Sequence, residues 1–92
     1  MLRDRDPIED QAAETHRRIA ARIRQDPYVL AATLARLKDL ISREGQPADP
    51  VLCEWLDVLL MLDPPQVADF IESATPRARR LRISSPLIWL SR

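Results

Sequence analysis

Glycine, cysteine and histidine each occur only once in this chain of 92 residues, and each scarcity excludes a class of site. One glycine, Gly45, cannot build a glycine-rich loop that binds phosphate. A metal site needs several clustered ligands, and Cys53 and His16 are far apart in sequence. Cys53 also has no basic neighbour in the sequence to activate it as a nucleophile. We therefore predict that the chain is not an enzyme and that it uses no cofactor or metal ion.

Long apolar runs and disulfide partners are also missing. The main apolar stretch, residues 49–62, covers fourteen residues, whereas a membrane-spanning helix needs about 20. The first ten residues, MLRDRDPIED, are charged where a secretory signal has an apolar segment. The single cysteine cannot form an internal disulfide and lies among apolar residues, which predicts a buried thiol in a reducing compartment. These features predict a cytoplasmic protein that does not associate with membranes.

The net charge of the chain is zero, but its charged residues are unevenly distributed. The chain has 14 basic and 14 acidic residues, yet residues 44–76 contain seven acidic residues and no Lys or Arg. From residue 77 to the end there are five arginines and no acidic residue. An acidic middle followed by a basic end indicates either a contact surface or the neutralisation of one face of the domain by another. The sequence favours neither interpretation over the other.

What the chain does have is a strong helical pattern. Ala, Leu, Arg and Glu are frequent, and five dipeptides place a helix-capping residue directly before a proline. Proline suits the first position of a helix and also ends the preceding helix. We therefore predict five helices, over residues 7–25, 27–44, 49–62, 64–73 and 76–83. The five dipeptides are Asp6-Pro7, Asp26-Pro27, Asp49-Pro50, Asp63-Pro64 and Thr75-Pro76.

The helix at residues 49–62 is apolar over well over half of its circumference, so we expect neighbours on most of its sides. Helix 27–44 has the broadest apolar face among the others, whereas the apolar stripe of helix 7–25 is thin and is interrupted at His16. The predicted fold class is all-α, a small irregular bundle of four to five helices around a central hydrophobic helix. We predict a single helical domain over residues 1–92, with residues 1–6 disordered and residues 84–92 forming an apolar C-terminal tail. The other helices offer this central helix barely enough apolar cover, so we expect either residues 87–90 or a second copy of the chain, in a homodimer, to complete it.

The basic and apolar end of the chain carries the candidate binding residues. The four arginines of residues 77–82 form one positive end, and Leu87, Ile88, Trp89 and Leu90 follow as four large apolar residues in a row. Two alternatives are open for this tail: it folds back over the central helix, or it anchors a protein partner through aromatic and basic side chains. The predicted partner-binding residues are Arg77, Arg79, Arg80, Arg82, Ser84, Ser85, Leu87 and Trp89.

Nucleic acid is the alternative partner of the same arginines. Four phosphate contacts would give a salt slope near −0.9 × 4, which is a weak and non-specific footprint. A helix-turn-helix would also need a polar recognition helix, and the apolar helix 49–62 cannot enter a major groove. The alternative prediction is thus a nucleic-acid-associated transcriptional regulator that contacts phosphates through residues 77–82, with nucleic acid as a secondary partner.

The C-terminal sequence ESATPRARRLRISSPLIWLSR resembles the ending of small bacterial antitoxin-like helical proteins, through the pattern R-x-x-R-L-R-x-S-S-P. It departs from that family at Leu87, where an aromatic residue is usual, and at Thr75-Pro76, where an acidic helix start is usual. The resemblance implies a non-enzymatic protein-binding module that acts as a partner or inhibitor in a toxin–antitoxin system, with a toxin encoded nearby. The matching positions are Arg77, Arg80, Leu81, Arg82, Ser84, Ser85 and Pro86.

Overall fold

The computed structural model describes residues 7–44 and 49–91, and these residues form helices joined by short connections. The predicted all-α class and small helical bundle are confirmed. The expected disorder of residues 1–6 and the predicted cap at Asp6 lie outside the described residues, as does Gly45. The elements are α1 (Pro7–Gln25), α2 (Val29–Glu44), α3 (Pro50–Met61), α4 (Pro64–Glu72), α5 (Pro76–Ile83) and a 3-10 helix (Pro86–Ser91).

The proline-led starts of α3 and α5 are capped as the sequence predicts. The carboxylate of Asp49 accepts a hydrogen bond of 2.8 Å from the backbone N–H of Val51. The hydroxyl oxygen of Thr75 accepts one of 3.2 Å from the backbone N–H of Ala78. Each cap satisfies a backbone donor that has no partner within its own helix, which is worth about 1 kcal/mol. Local chemistry therefore determines where these helices begin.

Helix α2 begins two residues later than predicted. Pro27 and Tyr28 lie in a turn, and Val29 is the first α-helical residue. The carboxylate of Asp26 accepts from the backbone N–H of Tyr28 at 3.2 Å, while the N–H of Val29 donates to the carbonyl of Asp26 at 3.2 Å. Hydrogen bonds across three residues tighten the entry into a 3-10-like turn, so the proline starts the turn and not the helix itself.

Helix α1 is more deeply packed than its thin apolar stripe predicts. It packs against α4, α5 and the 3-10 helix. Ile19, Ala20 and Ile23 are completely buried, and His16 is only 2% exposed. These four residues fall at positions i, i+3, i+4 and i+7, which is the spacing of one helical face. His16 therefore extends the buried stripe of α1 and does not interrupt it.

Helix α3 supplies the largest buried side chain but is not covered on all sides. Trp55 is fully buried, and Val58 and Leu59 are also in the core. Leu60 and Met61, in contrast, are 55% and 80% exposed. Helix α3 packs mainly against α2, so its apolar sequence exceeds the cover that the described residues provide. We call Leu60 and Met61 the α3 patch.

The C-terminal tail folds back onto the domain as a 3-10 helix. Leu87 is fully buried, and the guanidinium of Arg22 donates to the carbonyl of Leu90 at 2.8 Å. The guanidinium of Arg36 lies 4.0 Å from the ring centre of Trp89. The tail thus packs mainly against α1 and α2, and Leu87 belongs to the same apolar core as Trp55 of α3. Across residues 7–44 and 49–91, no helix combines the length and apolar character that crossing a membrane requires.

Candidate partner-binding site

Two of the predicted partner-binding arginines are paired within the domain. The guanidinium of Arg80 makes a two-point contact with the carboxylate of Glu54, at 2.9 and 3.1 Å. The Nε–H of Arg77 donates to the same carboxylate at 2.8 Å. Hydrogen bonds from Arg80 and then Arg77, with their positive charges, lower the pKa of Glu54 from the usual 4.5 to about 2. The basic helix α5 is therefore neutralised in part by the acidic helix α3.

Arg79 and Arg82 also have contacts inside the domain. The Nε of Arg79 lies 3.3 Å from a carboxylate oxygen of Glu9 on α1. Arg82 is only 6% exposed, and one of its terminal nitrogens donates to the carbonyls of Ile71 and Ser73, at 3.0 and 2.6 Å. These carbonyls belong to the end of α4, where a positive charge is favoured by the helix dipole. Burial lowers the pKa of Arg82, but a guanidinium begins so high that it stays charged.

The remaining predicted residues divide between the interior and the surface. Ser84 is exposed, and the hydroxyl of Ser85 accepts from the backbone N–H of Leu87 at 3.1 Å. Trp89 is half-buried. For Arg82 and Leu87 the prediction of partner contact is corrected, because both side chains are buried in the domain and present no surface to a partner. The sequence suggested Arg82 by its charge and Leu87 by its hydrophobicity. In the structure the charge of Arg82 binds backbone carbonyls of the domain, and Leu87 packs in the core.

A groove that the sequence analysis missed lies between α1, α5 and the 3-10 helix. Its rim carries three exposed isoleucines, Ile8 at 66%, Ile83 at 49% and Ile88 at 48% exposure. The cavity that they surround has a volume of about 210 Å³. We call it the isoleucine groove. One signal was available in the sequence: Ile83 lies two residues after Leu81, so on a helix it points away from the face that Leu81 buries.

The floor of the isoleucine groove is polar and buried. It is formed by His16 and Arg82, which are 2% and 6% exposed. The Nδ1–H of His16 donates to the carbonyl of Ala12 at 2.7 Å, and its ring is stacked on Trp55 with 6.4 Å between ring centres. The Nε2 of His16 and the Nε of Arg82 have no hydrogen-bond partner among the described residues. Such buried polar atoms each cost about 1–3 kcal/mol when nothing satisfies them.

The protonation of His16 follows from its surroundings. A carbonyl oxygen only accepts, so the contact with Ala12 places the ring proton on Nδ1. Burial lowers the pKa of His16, and the nearby charge of Arg82 lowers it further, which outweighs the opposing effect of the Ala12 carbonyl. The ring is therefore neutral near pH 7, and its Nε2 is a hydrogen-bond acceptor.

A second cavity of about 190 Å³ lies beside the α3 patch, between α3, α4 and α5. Its lining includes Met61, Phe70 and Arg77, and the guanidinium of Arg77 lies 5.7 Å from the ring centre of Phe70. Arg77 already donates a hydrogen bond to Glu54. The buried polar atoms without a partner among the described residues belong to His16 and Arg82, which line the isoleucine groove and not this cavity. It is an apolar depression with a paired charge at its edge.

Within residues 7–44 and 49–91, no group of three His, Cys, Asp or Glu side chains is arranged to hold a metal ion. Cys53, predicted to be buried, is partly exposed.

Comparison of the chain with protein-family models, curated proteins and solved structures finds no match in any of the three. The candidate site is thus defined by the geometry of its own residues.

Proposed function

We propose that this chain is a non-enzymatic protein-binding module that works, as an antitoxin does, by binding and inhibiting a partner protein encoded nearby. The observation that supports the proposal is the clustering of Ile8, Ile83 and Ile88 around one cavity. Single exposed apolar residues are normal on a protein surface, whereas apolar residues gathered at a concave site are typical of an interaction surface. The isoleucine groove is therefore the proposed partner-binding site.

The size of the isoleucine groove favours a protein partner over a small molecule. Pockets that bind small molecules commonly measure about 300–1,000 Å³, and this cavity of about 210 Å³ is smaller. It has room for one anchoring side chain of a partner, with the isoleucine rim covering the apolar residues that flank it. Such single anchors in desolvated pockets often carry much of the binding energy at protein interfaces.

The alternative, phosphate contact through residues 77–82, draws less support. Arg77 and Arg80 share Glu54, and Arg79 faces Glu9, so these guanidinium groups would give up a contact in order to bind a phosphate. Double-stranded DNA offered at low salt tests this alternative. Salt-sensitive binding that is lost when Arg77, Arg79 and Arg80 are replaced by Gln would favour the nucleic-acid function over the one proposed here.

Co-expression with the product of the neighbouring gene tests the proposed function. We expect the two proteins to co-purify, and we expect this protein to restore growth when the neighbour arrests it. The double substitution Ile83→Asp with Ile88→Asp should abolish both effects, because it places two charges on the rim of the groove. Its matched control is Leu60→Asp with Met61→Asp, which places two charges on the exposed α3 patch and should leave both effects intact.

Three results would contradict this function. No co-purification with the neighbouring product argues against a partner of this kind. If only the α3-patch variant loses binding, the partner binds at the α3 patch and not at the isoleucine groove. Light scattering that shows a dimer of the chain, dissolved by the Ile83 and Ile88 substitutions, would mean that the isoleucine groove serves self-assembly instead.

A further inference from the structure

Arg36 on α2 differs from the other arginines of this domain in how its guanidinium is held. The guanidinium lies 4.0 Å from the ring centre of Trp89 and makes no hydrogen bond or ion pair with any residue of 7–44 and 49–91. Every other arginine in those two ranges forms an ion pair or donates a hydrogen bond inside the domain. Within the described part of the chain, Arg36 therefore keeps its five N–H donors unused at an exposed position.

The ring of Trp89 fixes this guanidinium without using its hydrogen bonds. A cation over an aromatic ring is attracted by the π electrons of the ring face, whereas the N–H donors of a guanidinium lie at the edge of its own plane. The ring is held by its neighbours in the tail: Leu87 is fully buried, and the carbonyl of Leu90 accepts from Arg22 at 2.8 Å. Little side-chain freedom is therefore lost when an anion binds to Arg36.

The surroundings of Arg36 favour a carboxylate of a protein over the phosphates of a nucleic acid. A carboxylate has two oxygens in one plane, so it can accept two parallel hydrogen bonds from a single guanidinium. Binding to nucleic acid needs several phosphate contacts, and one arginine gives a salt slope of only about −0.9. Arg43, two turns later on the same side of α2, is already paired with Asp39 at 3.1 Å.

Apolar side chains lie next to this charge. Leu40 follows Arg36 by one helical turn and is half-buried, as is Leu90 beside Trp89 in the tail. Aromatic and arginine side chains with apolar neighbours are typical of the residues that contribute most to binding at protein interfaces. The occupant that matches this surface is an acidic side chain with apolar residues at its sides.

We propose that Arg36, held over Trp89, binds the carboxylate of an Asp or Glu that the partner protein presents between apolar residues. The two carboxylate oxygens accept from the guanidinium, and the apolar residues of the partner cover Leu40 and Leu90. Ile88 lines the isoleucine groove and Trp89 is the next residue, so a partner that lies across the tail contacts both. The proposal rests on the proposed function, because it names the chemistry of the same partner.

Nitrogen NMR of the labelled full-length chain tests the proposal at pH 7 and low salt, with two peptides as probes. Acetyl-Leu-Glu-Leu-amide carries one carboxylate between two apolar side chains, and acetyl-Leu-Gln-Leu-amide has the same size without the charge. We expect the Glu peptide to cause saturable shifts of the Arg36 Nε–H and Trp89 indole N–H signals. The Gln peptide should bind at least about threefold more weakly, which is the effect of one exposed ion pair.

Three variants separate the held guanidinium from positive charge in general. Arg36→Gln should remove the preference for the Glu peptide, and Trp89→Leu should reduce it because the ring no longer fixes Arg36. Arg36 is exposed, so its variant keeps the test valid if Trp89→Leu does not fold.

Lys38→Gln is the matched control. Lys38 is an exposed cation that makes no hydrogen bond or ion pair in the described part of the chain. It lies two residues after Arg36 and therefore about 200° around the helix from it. The control should leave the preference for the Glu peptide unchanged. An equal loss in Lys38→Gln and Arg36→Gln would overturn the site, because the preference would then reflect net charge alone.

The proposal is also overturned if the Glu peptide gives no saturable shift up to its solubility limit, or if the Gln peptide binds as tightly. Single-stranded oligothymidylate that shifts the same two signals, while the Glu peptide does not, would assign Arg36 to phosphate instead. A neighbouring gene product that binds the Arg36→Gln variant as tightly as the unchanged chain leaves the proposed function standing and overturns only the carboxylate. Glu-peptide binding that depends on Arg36, without co-purification of the neighbour, supports the carboxylate site and contradicts only the proposed function.

Discussion

The side chain of Trp55 joins α3 to three other helices. Its indole N–H donates to the carbonyl of Leu81 at 3.0 Å, which links α3 to α5. Its ring is stacked on His16 of α1 and meets the ring of Phe70 of α4 edge-on, with 6.3 Å between ring centres. One residue therefore connects four helices, and its polar atom is satisfied although it is fully buried.

The two tryptophans allow a matched test of this role. We expect Trp55→Phe to lower the free energy of unfolding by about 1–3 kcal/mol. It leaves a cavity and removes the indole donor from the carbonyl of Leu81, which keeps only the backbone N–H of Ser84 at 3.3 Å. Trp89→Phe removes the same atoms from a half-buried position and should cost less than about 1 kcal/mol. Urea unfolding followed by circular dichroism measures both. Equal losses in the two variants would contradict the central role of Trp55.

Arg82 and Arg79 form a second matched pair on the same helix. Arg82→Met should cost about 2–4 kcal/mol, because the carbonyls of Ile71 and Ser73 would lose a charged donor inside the domain. Arg79→Met breaks an exposed ion pair with Glu9 and should cost less than about 1 kcal/mol. Urea unfolding at neutral pH compares them. If the Arg79 variant is the less stable one, the structural role given to Arg82 is wrong.

At the scale of elements, the contact between α3 and α5 depends on one carboxylate. Glu54 has a pKa of about 2 in the folded chain and an ordinary pKa of 4.5 otherwise. A lowered pKa stabilises the fold above the ordinary value, and this contribution is lost as the pH falls through the folded value. The stabilisation by Glu54 is therefore complete above about pH 4.5 and disappears as the pH falls towards 2.

A double-mutant cycle with Glu54→Gln and Arg80→Gln isolates this contribution from other titrating groups. We expect a favourable coupling energy between the two residues at pH 5 and above, because their charges and hydrogen bonds act together. The coupling should decline towards zero between pH 4.5 and 2. Thermal unfolding of the four proteins at several pH values provides the measurement. A coupling that stays constant down to pH 2, or grows there, would disprove the assignment.

The 3-10 helix at the C-terminus is an integral element of the bundle, and adjacent residues test this. Leu87 is fully buried, whereas Ile88 is 48% exposed. We expect Leu87→Ala to cost about 2–4 kcal/mol through the cavity that it leaves. Ile88→Ala should change stability by less than about 1 kcal/mol. Denaturant unfolding of the two variants is the comparison, and a smaller loss for Leu87 would mean that the tail is not part of the core.

Across the whole molecule, the uneven charge of the sequence is compensated by contacts between helices. Arg24 of α1 pairs with Asp69, at 2.8 Å, and with Glu72, which joins α1 to α4. Arg77 and Arg80 join α5 to Glu54 of α3. Of the two interpretations of the charge pattern, internal neutralisation is the one that these contacts support. Each exposed pair stabilises little alone. Glu54 offsets one of the two charges of Arg77 and Arg80, and Glu9 offsets the charge of Arg79, so the basic helix is neutralised in part.

The candidate site could be predicted only in part, for a physical reason. Arg77 and Arg79 are exposed and Trp89 is half-buried, and partner binding by these three residues stays a prediction. The floor of the isoleucine groove was not predictable, because His16 and Arg82 are 66 positions apart along the chain. Their meeting depends on how α1 packs against α5, which no local pattern specifies.

The sequence by itself determined the helical class and most helix boundaries of this protein. A capping residue followed by proline acts within a few residues, and the predicted bounds of α1 and α5 agree with the structure. Only the tertiary structure decided which apolar side chains are buried and which charged side chains are paired within the domain. Burial and pairing depend on which distant elements meet, and so Leu87 and Arg82 entered the core while Ile83 and Ile88 were left at the surface.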